Sequence, residues 1–178
     1  MEETKNPVRK PVRLKEYGYG TGVYFVTIVA KDRQKIFSTI TGSRQNVGAG
    51  YIRPEDVQSE LTVIGNIAEQ RLLEIPVHYP GVQIENYVIM PNHIHIIFGI
   101  EEPPTGRIYP APTEEKENPA TRKLCDVIGK YKAAVSRVVG HPIWQRSYYD
   151  HVIRSQQDFE KIWRYIDNNP LQWLLEKR

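Results

Sequence analysis

Hydrophobic and polar positions along the chain predict an alternation of strands and helices that begins with a strand. The segment YFVTIVA, from Tyr24 to Ala30, is rich in β-branched and aromatic residues and follows a glycine cluster, which is typical of a strand. A helix is predicted next. Its apolar residues recur with helical spacing at Ile64, Ile67, Ala68, Leu72 and Ile75. Pro76 and Pro80 are expected to end this helix.

Two strands and a further helix follow. The segments VQIENYVIM and HIHIIFGI are predicted to be strands that meet at a tight turn over Met90, Pro91, Asn92 and His93. The next helix is expected to begin with Thr121 as its cap and to end at Gly140 and Pro142. Its apolar side is formed by Leu124, Val127, Ile128, Tyr131, Val135 and Val138.

The last predicted helix has the clearest boundaries. Ser155 is a plausible N-cap with Asp158 three residues later, and Pro170 is expected to end the helix near Asn169. Its core stripe is Phe159, Ile162, Trp163 and Ile166. The order of elements, β, α, β-β, α, α, predicts an α+β fold: an α/β sandwich with an antiparallel sheet and helices packed on one face.

The strand HIHIIFGI places two histidines on one face of the predicted sheet. Residues two apart in a strand share a face, so His93 and His95 project together with Ile97 and Gly99. The opposite set is apolar after its first member and belongs under the helices: Asn92, Ile94, Ile96, Phe98 and Ile100. Two imidazoles spaced in this way can chelate one divalent cation, although an ordinary pair of core or surface histidines has the same spacing.

A catalytic metal site needs a third ligand and a nucleophile, and the last helix offers both. At about 100° per residue, Asp158, Tyr165 and Asn169 fall within an arc of roughly 40° beside the apolar stripe. An amide oxygen is a suitable ligand for Mg²⁺ or Mn²⁺, and a tyrosine hydroxyl can attack a phosphate. Read singly, Tyr165 is better explained as a boundary packing residue and Asn169 as a helix C-cap.

Composition limits the classes of protein that the chain can represent. Its 178 residues suit a single domain, and the one cysteine, Cys125, excludes an internal disulfide. The longest apolar run is too short to span a membrane and no signal peptide is evident, so a cytoplasmic protein is expected. Three segments depart from the domain body: a basic arm (1–20), a loop or hairpin insertion (41–56) and an acidic, proline-rich flexible linker (101–120).

Four segments of the sequence carry a family resemblance: GVYFVTIVAKDRQKIF, YVIMPNHIHIIFGI, IWQRSYYDHVIR and YIDNNPLQW. Together they resemble the REP-associated tyrosine transposase branch of the HUH single-tyrosine transposases, which is related to insertion-sequence transposases. The segments occur in the family's order and cover most of the chain outside 38–60 and 101–120. The specificity lies in the combination of MPNHIHII with YI followed by NNP.

The resemblance implies roles for individual residues. His93 and His95 would bind a divalent metal, Mg²⁺ or Mn²⁺, with Asn169 as the third, polar ligand, and Tyr165 would be the nucleophile. The implied fold is ferredoxin-like or RRM-like, in agreement with the order of elements. The implied protein is a bacterial, nucleoid-associated enzyme, a monomer or homodimer. It would nick and transfer single-stranded or hairpin DNA in transposition or recombination, through a covalent 5′-phosphotyrosine.

DNA-binding residues are expected among the basic side chains, since cations contact phosphates. The candidates are Arg9, Lys10, Arg13, Lys15, Lys130, Lys132, Arg137 and Arg146. Charge alone favours the alternative, a solvated helix face. Structural or supporting roles are assigned to Asp150, His151 and Asp158, with His151 paired to Asp150.

The aromatic residues near the end of the chain have separate expected roles. Trp144 is expected in the core, and Tyr148 and Tyr149 are candidates for stacking on unpaired bases.

Two other functions compete with a transposase-like enzyme. One is a catalytically silent RRM-like module that binds nucleic acid, for which Ile97 and Gly99 are poor stacking residues on the open sheet face. The other is a zinc-dependent hydrolase, which lacks the additional histidine or acidic ligand expected near the pair.

Overall fold

Four antiparallel strands form the central sheet of the protein. Its structure, a computed structural model, describes residues 22–42, 57–101 and 119–176, with the backbone alone described for 119–122. The strands are β1 (Gly22–Val29), β2 (Ser38–Gly42), β3 (Val57–Leu61), β4 (Val82–Ile89), β5 (His93–Ile100) and β6 (Tyr149–Ile153). The helices are α1 (Val63–Leu73), α2 (Ile75–His78), α3 (Pro119–Val139) and α4 (Gln156–Glu176).

The strand order in the main sheet is β4-β5-β1-β6, and β2 and β3 form a separate two-stranded ribbon. The predicted hairpin of β4 and β5 is confirmed, with the amide of Met90 donating to the carbonyl of His93 at 2.8 Å. The sequence did not predict β6, which pairs with the free side of β1. β1 therefore lies in the interior of the sheet, between β5 and β6.

The main core lies between one sheet face and the helices α1 and α3. Alternate residues of β5, including Ile94, Ile96 and Phe98, are fully buried there, as the apolar pattern of this strand predicts. Gly65 lets α1 approach closely, because a Cβ at this position would lie 1.9 Å from the carbonyl oxygen of Phe37. The backbone contact leaves no room for any side chain.

Helix α4 packs on the other face of the sheet. Its stripe forms a second, smaller cluster around Ile97 and Ile153, and the buried members from the helix are Ile162 and Ile166. The predicted α+β class with an antiparallel sheet is confirmed. The helices pack on both faces rather than on one as predicted, because Ile97 and Ile153 form a second apolar surface that the stripe of α4 covers. Because α1 and α3 cover one face and α4 covers the other, the face that carries the histidines is partly enclosed.

Three predicted helix boundaries are wrong. The first predicted helix is divided, since α1 ends at Leu73 and Ile75 and Pro76 lie in α2, where proline is tolerated in the first turn. Helix α3 begins at Pro119, so Thr121 lies inside it rather than at its cap, although Gly140 ends it as expected with a φ of 86°. Helix α4 passes through Pro170 to Glu176. Proline removes one backbone donor and usually bends a helix, at a cost of about 3 kcal/mol, but the turn after Pro170 is held by packing of Trp173 near His93.

Several predicted segments lie outside the described residues. These are the basic arm, all but the first two residues of the insertion 41–56, and most of the linker 101–120. The strands that flank the insertion pair with each other, with Gly42 opposite Val57. In the ranges that the structure describes, no helix is long and apolar enough to cross a membrane.

Candidate active site

The two histidines of β5 lie side by side beneath α4. Their Nε2 atoms are 3.0 Å apart, and the ring centroids are separated by 4.5 Å. His95 is only 5% exposed, whereas His93, at the start of the strand, is partly exposed. The alternation of β5 therefore directs both imidazoles away from the main core, as the sequence predicts.

The second nitrogen of each ring is hydrogen-bonded to a neutral side chain. Nδ1 of His93 lies 2.7 Å from Oδ1 of Asn92, and because an amide oxygen only accepts, this Nδ1 carries the proton. Nδ1 of His95 lies 2.8 Å from the hydroxyl of Thr27, its cross-strand partner on β1, which can accept in the same way. Both Nε2 lone pairs then converge, and two lone pairs at 3.0 Å repel unless a proton or cation lies between them.

Both histidines are held in the neutral form that metal ligation requires. Burial, reinforced by the charge of Arg33, lowers the pKa of His93 to about 4, although a hydrogen bond with Asn169 opposes the shift. Burial, together with the neighbouring His93, lowers the pKa of His95 to about 3. At neutral pH the pair consequently presents nitrogen lone pairs rather than positive charge.

Helix α4 supplies three side chains to this pair from successive turns. Tyr165, Asn169 and Trp173 are spaced four residues apart, so they form one line along the helix. The hydroxyl of Tyr165 is 3.4 Å from Nε2 of His95 in the same chain, and this residue is 41% exposed. Asn169 is 7% exposed, and the Trp173 ring centroid is 6.2 Å from that of His93.

Phe25 on β1 packs between the strand residues and the helix residues of the site. Its ring stacks on His95 at a centroid distance of 5.1 Å and meets Tyr165 edge-on at 6.0 Å. Packing on both sides restricts the rotamers that His95 and Tyr165 can adopt. The tyrosine hydroxyl is thus held at the edge of the histidine pair while the sheet supports it from below.

The histidine pair and Asn169 offer donor atoms that suit the divalent cation that the resemblance implies. Two imidazole nitrogens and an amide oxygen form a neutral ligand set of borderline and hard donors. Over residues 22–42, 57–101 and 119–176, His, Cys, Asp and Glu side chains form no cluster of three or more that could hold a metal ion. A cation held by this neutral set would therefore gain strongly from an additional anionic ligand, such as a phosphate.

The predicted supporting acids and histidine lie at the other end of α4. His151 pairs with Asp158 rather than with Asp150 as predicted, since its Nε2 is 2.7 Å from Oδ2 of Asp158. The amide of Asp158 donates to the hydroxyl of its N-cap, Ser155. The contact joins β6 to the start of the helix. Asp150 precedes His151 in the same strand and projects toward the opposite face.

Among the described residues, the predicted DNA-binding cations lie away from the histidine pair. Lys130, Lys132 and Arg137 lie on α3, across the sheet from the site. Nζ of Lys132 donates to backbone carbonyls, at 2.5 Å from Gln145 O and 3.3 Å from Ser147 O, which fixes the chain before β6. Arg146 is exposed in that segment. The side chains of Arg9, Lys10, Arg13 and Lys15 lie outside the described residues.

The aromatic residues considered for stacking on bases differ in how deeply they are buried. Trp144 is buried and stacks on Phe37 at 4.9 Å, which confirms its expected place in the core. Tyr148 is also buried, whereas Tyr149 is 41% exposed on β6, opposite Thr27. Of these aromatic side chains, Tyr149 is therefore the one that remains available for stacking.

Sequence reasoning missed four residues of the site: Phe25, Thr27, Asn92 and Trp173. Asn92 directly precedes the first histidine, so its contact was available from sequence, whereas Thr27 is brought in by the register between β1 and β5. Trp173 was excluded by the expectation that the helix ends before Pro170. Its spacing of four residues from Asn169 becomes informative only when α4 continues.

Comparison with solved structures defines the class of fold. A REP-associated tyrosine transposase bound to a REP hairpin superposes with a TM-score of 0.55 at 17% identity, covering 90% of this chain and 73% of that chain. The protein therefore has a transposase-like fold. A candidate transposase from Deinococcus radiodurans covers 88% of this chain and 95% of its own at 18% identity, but its TM-score of 0.36 adds nothing to this conclusion.

Comparison of sequences places the chain in a family. A protein of Haemophilus influenzae, described as uncharacterized, is 31% identical over 175 residues, which cover 93% of this chain and 89% of that protein. The chain belongs to the same family as this Haemophilus protein. No family model matches the sequence.

Proposed function

We propose that the protein is a metal-dependent endonuclease and strand transferase that acts on single-stranded, hairpin-forming DNA through Tyr165. The observation that carries the proposal is the placement of the Tyr165 hydroxyl 3.4 Å from a converging pair of histidine nitrogens. The fold shared with a REP-associated tyrosine transposase bound to a REP hairpin supports hairpin DNA as the substrate class. The fold alone is compatible with other functions, so the site determines the proposal.

The proposed reaction is a transesterification. The Tyr165 oxygen attacks the phosphorus of a phosphodiester, a new P–O bond forms to the tyrosine, and the bond from phosphorus to the 3′ oxygen breaks. The products are a 5′-phosphotyrosine and a free 3′ hydroxyl, which takes up a proton. A 3′ hydroxyl of another strand reverses the step, because the phosphotyrosine diester retains the energy of the broken bond. Cutting and rejoining therefore need no ATP.

Tyr165 must lose its proton as it attacks, since a neutral phenol is a weak nucleophile. Its exposed fraction of 41% gives the proton a direct path to water. Phe25 holds the ring edge-on, so the hydroxyl stays at the mouth of the site, where an extended DNA strand can reach it. Holding the nucleophile in this way lowers the entropy that must be lost on the path to reaction.

His93, His95 and Asn169 are the residues that would hold the metal. When bound, a divalent cation supplies a Lewis acid that polarises the scissile phosphate and neutralises charge in the transition state. Asn92 and Thr27 orient the two imidazoles by accepting at Nδ1. Neutral imidazoles at physiological pH follow from the lowered pKa values of both histidines.

The covalent intermediate provides the decisive test. Incubation with a fluorescent hairpin oligonucleotide and Mn²⁺ should give a protein–DNA adduct that survives denaturing electrophoresis, and Tyr165→Phe should abolish this adduct. Tyr149→Phe is a matched control, because Tyr149 has the same 41% exposure but lies on β6. Persistence of the adduct in Tyr165→Phe would falsify the assignment of the nucleophile.

The silent RRM-like module is less well supported. Such modules bind RNA on an open sheet face through exposed aromatic side chains. Here α4 covers the corresponding face, and Ile97 beneath it is fully buried. A zinc hydrolase is also disfavoured, since the described residues offer the pair no third histidine, cysteine or acidic ligand.

A further inference from the structure

The turn after β1 has an unusual backbone for its sequence. Asp32 and Arg33 have φ values of 54° and 52°, in the left-handed region that residues other than glycine rarely occupy. Such conformations persist where the surroundings impose them, and they cluster at functional sites. The short helical turn Lys31–Arg33 therefore has a fixed shape that its own sequence does not favour.

Backbone hydrogen bonds hold this turn against the start of β5. The amide of Ala30 donates to the carbonyl of Asn92 at 2.9 Å. The amide of Phe37 donates to the carbonyl of Pro91 at 3.0 Å. A third bond, from the amide of Lys31 to the carbonyl of Ile143, ties it to the chain before β6. The turn is thereby attached to the residues that directly precede His93.

Two cations and an aromatic ring meet beside the histidine pair as a result. Arg33 and Lys35 are exposed, and Nζ of Lys35 lies 5.9 Å from the ring centroid of Trp173. That ring in turn lies 6.2 Å from His93. Arg33 belongs to the turn that the hydrogen bond from the amide of Ala30 to the carbonyl of Asn92 holds next to His93. Asp32, between the two cations, is exposed as well.

These cations have no acidic partner within the part of the chain that the structure describes. The ion pairs there involve Arg71 with Glu74, Arg164 with Glu160, and His151 with Asp158. With Lys31 and Asp32 included, the turn carries more positive than negative charge next to a neutral metal-ligand set. An anionic ligand at the histidine pair would consequently meet positive charge on this side.

We infer that Arg33, Lys35 and Trp173 form a nucleotide-binding subsite beside the candidate active site. The two cations would contact a phosphodiester group next to the one that Tyr165 attacks, and the Trp173 ring would stack on the adjoining unpaired base. The inference rests on the proposed function, since it assigns the position of single-stranded DNA in that same site. Trp173 and the histidine pair lie within one nucleotide's reach of each other, which fits consecutive groups of one strand.

Binding measurements on a Tyr165→Phe background separate this subsite from the chemistry. Fluorescence anisotropy of a labelled single-stranded oligonucleotide, taken across a range of salt concentrations, gives the affinity and the salt slope. Removing two phosphate contacts with Arg33→Gln/Lys35→Gln should lower the slope by about 1.4, at about 0.7 per contact for single strands. The control Lys161→Gln/Arg164→Gln removes the same charge from exposed positions on α4 and should leave the slope unchanged.

The aromatic part of the subsite has its own test. Trp173→Leu should weaken oligonucleotide binding about tenfold, whereas Trp173→Phe should restore most of it, because stacking needs an aromatic face. Circular dichroism and thermal unfolding verify that each variant is folded. If Trp173→Leu unfolds, the Arg33→Gln/Lys35→Gln variant still tests the subsite, because these two side chains are exposed and their replacement should not unfold the protein.

The outcomes distinguish this inference from the proposed function. If the Tyr165→Phe protein binds the oligonucleotide and the Arg33/Lys35 variant keeps the same slope as its control, the subsite is overturned while the proposed function stands. Equal losses in both double variants also overturn it, because they indicate non-specific attraction. Loss of binding by the parent protein itself overturns both. A slope change confined to the Arg33/Lys35 variant supports the subsite.

Discussion

At the scale of single residues, the site depends on which nitrogen of each histidine carries the proton. Asn92 and Thr27 each contact an Nδ1 atom, which leaves the Nε2 atoms facing each other at 3.0 Å. The partners that orient metal-binding histidines commonly influence metal affinity by 10- to 100-fold. In the proposed reaction neither residue contacts the phosphate, so both would act by positioning the imidazoles.

Replacing Thr27 by Val should therefore lower Mn²⁺ affinity about tenfold with little change in shape, since the substitution removes only the hydroxyl. Isothermal titration calorimetry measures this affinity directly. Thr39→Val, at an exposed position of β2, is the control and should bind Mn²⁺ like the parent. An unchanged affinity in Thr27→Val would show that the hydroxyl does not orient His95.

The lowered pKa values of the histidines also predict how stability depends on pH. In the folded protein the pKa of His93 is about 4 and that of His95 about 3, against about 6.5 when unfolded. Between these values the unfolded state binds more protons. The free energy of unfolding should consequently fall as pH drops below about 6.5, by up to about 1.4 kcal/mol per pH unit for each histidine.

Urea unfolding between pH 7 and pH 4.5, with EDTA present, tests this dependence. His93→Gln/His95→Asn should flatten the decline, because the groups that take up protons on unfolding are gone. His141→Gln changes an exposed histidine and should keep the parent slope. A double variant as sensitive to acid as the parent would place the main proton uptake elsewhere.

At the scale of elements, one close backbone contact sets the position of α1. A Cβ on Gly65 would lie 1.9 Å from the carbonyl oxygen of Phe37, whereas a Cβ on Gly129 in α3 would meet nothing within 4 Å. Both glycines are helical, so the intrinsic gain from alanine is the same, about 1 kcal/mol. The difference between the two substitutions isolates the tertiary contact.

Gly65→Ala should lower the free energy of unfolding by about 2 kcal/mol or more, because the backbone of Phe37 must move. Gly129→Ala should raise it by up to about 1 kcal/mol. Chemical denaturation of both variants at neutral pH measures the two changes. Stabilisation by Gly65→Ala would mean that α1 can shift from Phe37 without loss of packing.

Helix α4 is the element that completes the site. Its line of Tyr165, Asn169 and Trp173 faces the histidines because Ile162 and Ile166 anchor the adjacent stripe on Ile97 and Ile153. Local rules predicted an end at Asn169, since proline lacks a backbone donor. Packing of the turn after Pro170 decides otherwise, and the extra turn brings Trp173 to the site.

At the scale of the whole molecule, metal and DNA are expected to bind cooperatively. The proposed ligand set of His93, His95 and Asn169 is neutral, and over the described residues no three or more His, Cys, Asp and Glu side chains cluster so as to hold a metal ion. A substrate phosphate would supply the missing anion, and Arg33 and Lys35 would hold the neighbouring group. Coupling of this kind is reciprocal, so each ligand should raise the affinity for the other by the same factor.

Titration of Mn²⁺ into Tyr165→Phe, with and without a hairpin oligonucleotide, measures the coupling. The dissociation constant should fall at least about fivefold when DNA is present, a typical allosteric factor. Asn169→Ala should weaken Mn²⁺ binding in both conditions, because the amide oxygen is lost. Equal Mn²⁺ affinities with and without DNA would argue against a shared site.

The sequence alone determined the parts of this protein that depend on local periodicity. The alternation of HIHIIFGI assigned His93 and His95 to one face of a strand, and the turn before them, the core stripe of α4 and the cap at Ser155 follow from equally short-range rules. These features depend on sterics and hydrogen bonds between residues that are neighbours in the chain.

Only the tertiary structure decided which distant residues meet at the histidine pair. Thr27 lies 68 residues from His95 along the chain, and it reaches the ring through the register of β1 and β5. Trp173 arrives because packing carries α4 past Pro170, and the left-handed turn at Arg33 is imposed by its bonds to Asn92 and Ile143. Such contacts depend on tertiary packing over the whole fold. Where packing and local conformational preference conflict, the packing energy decides the structure.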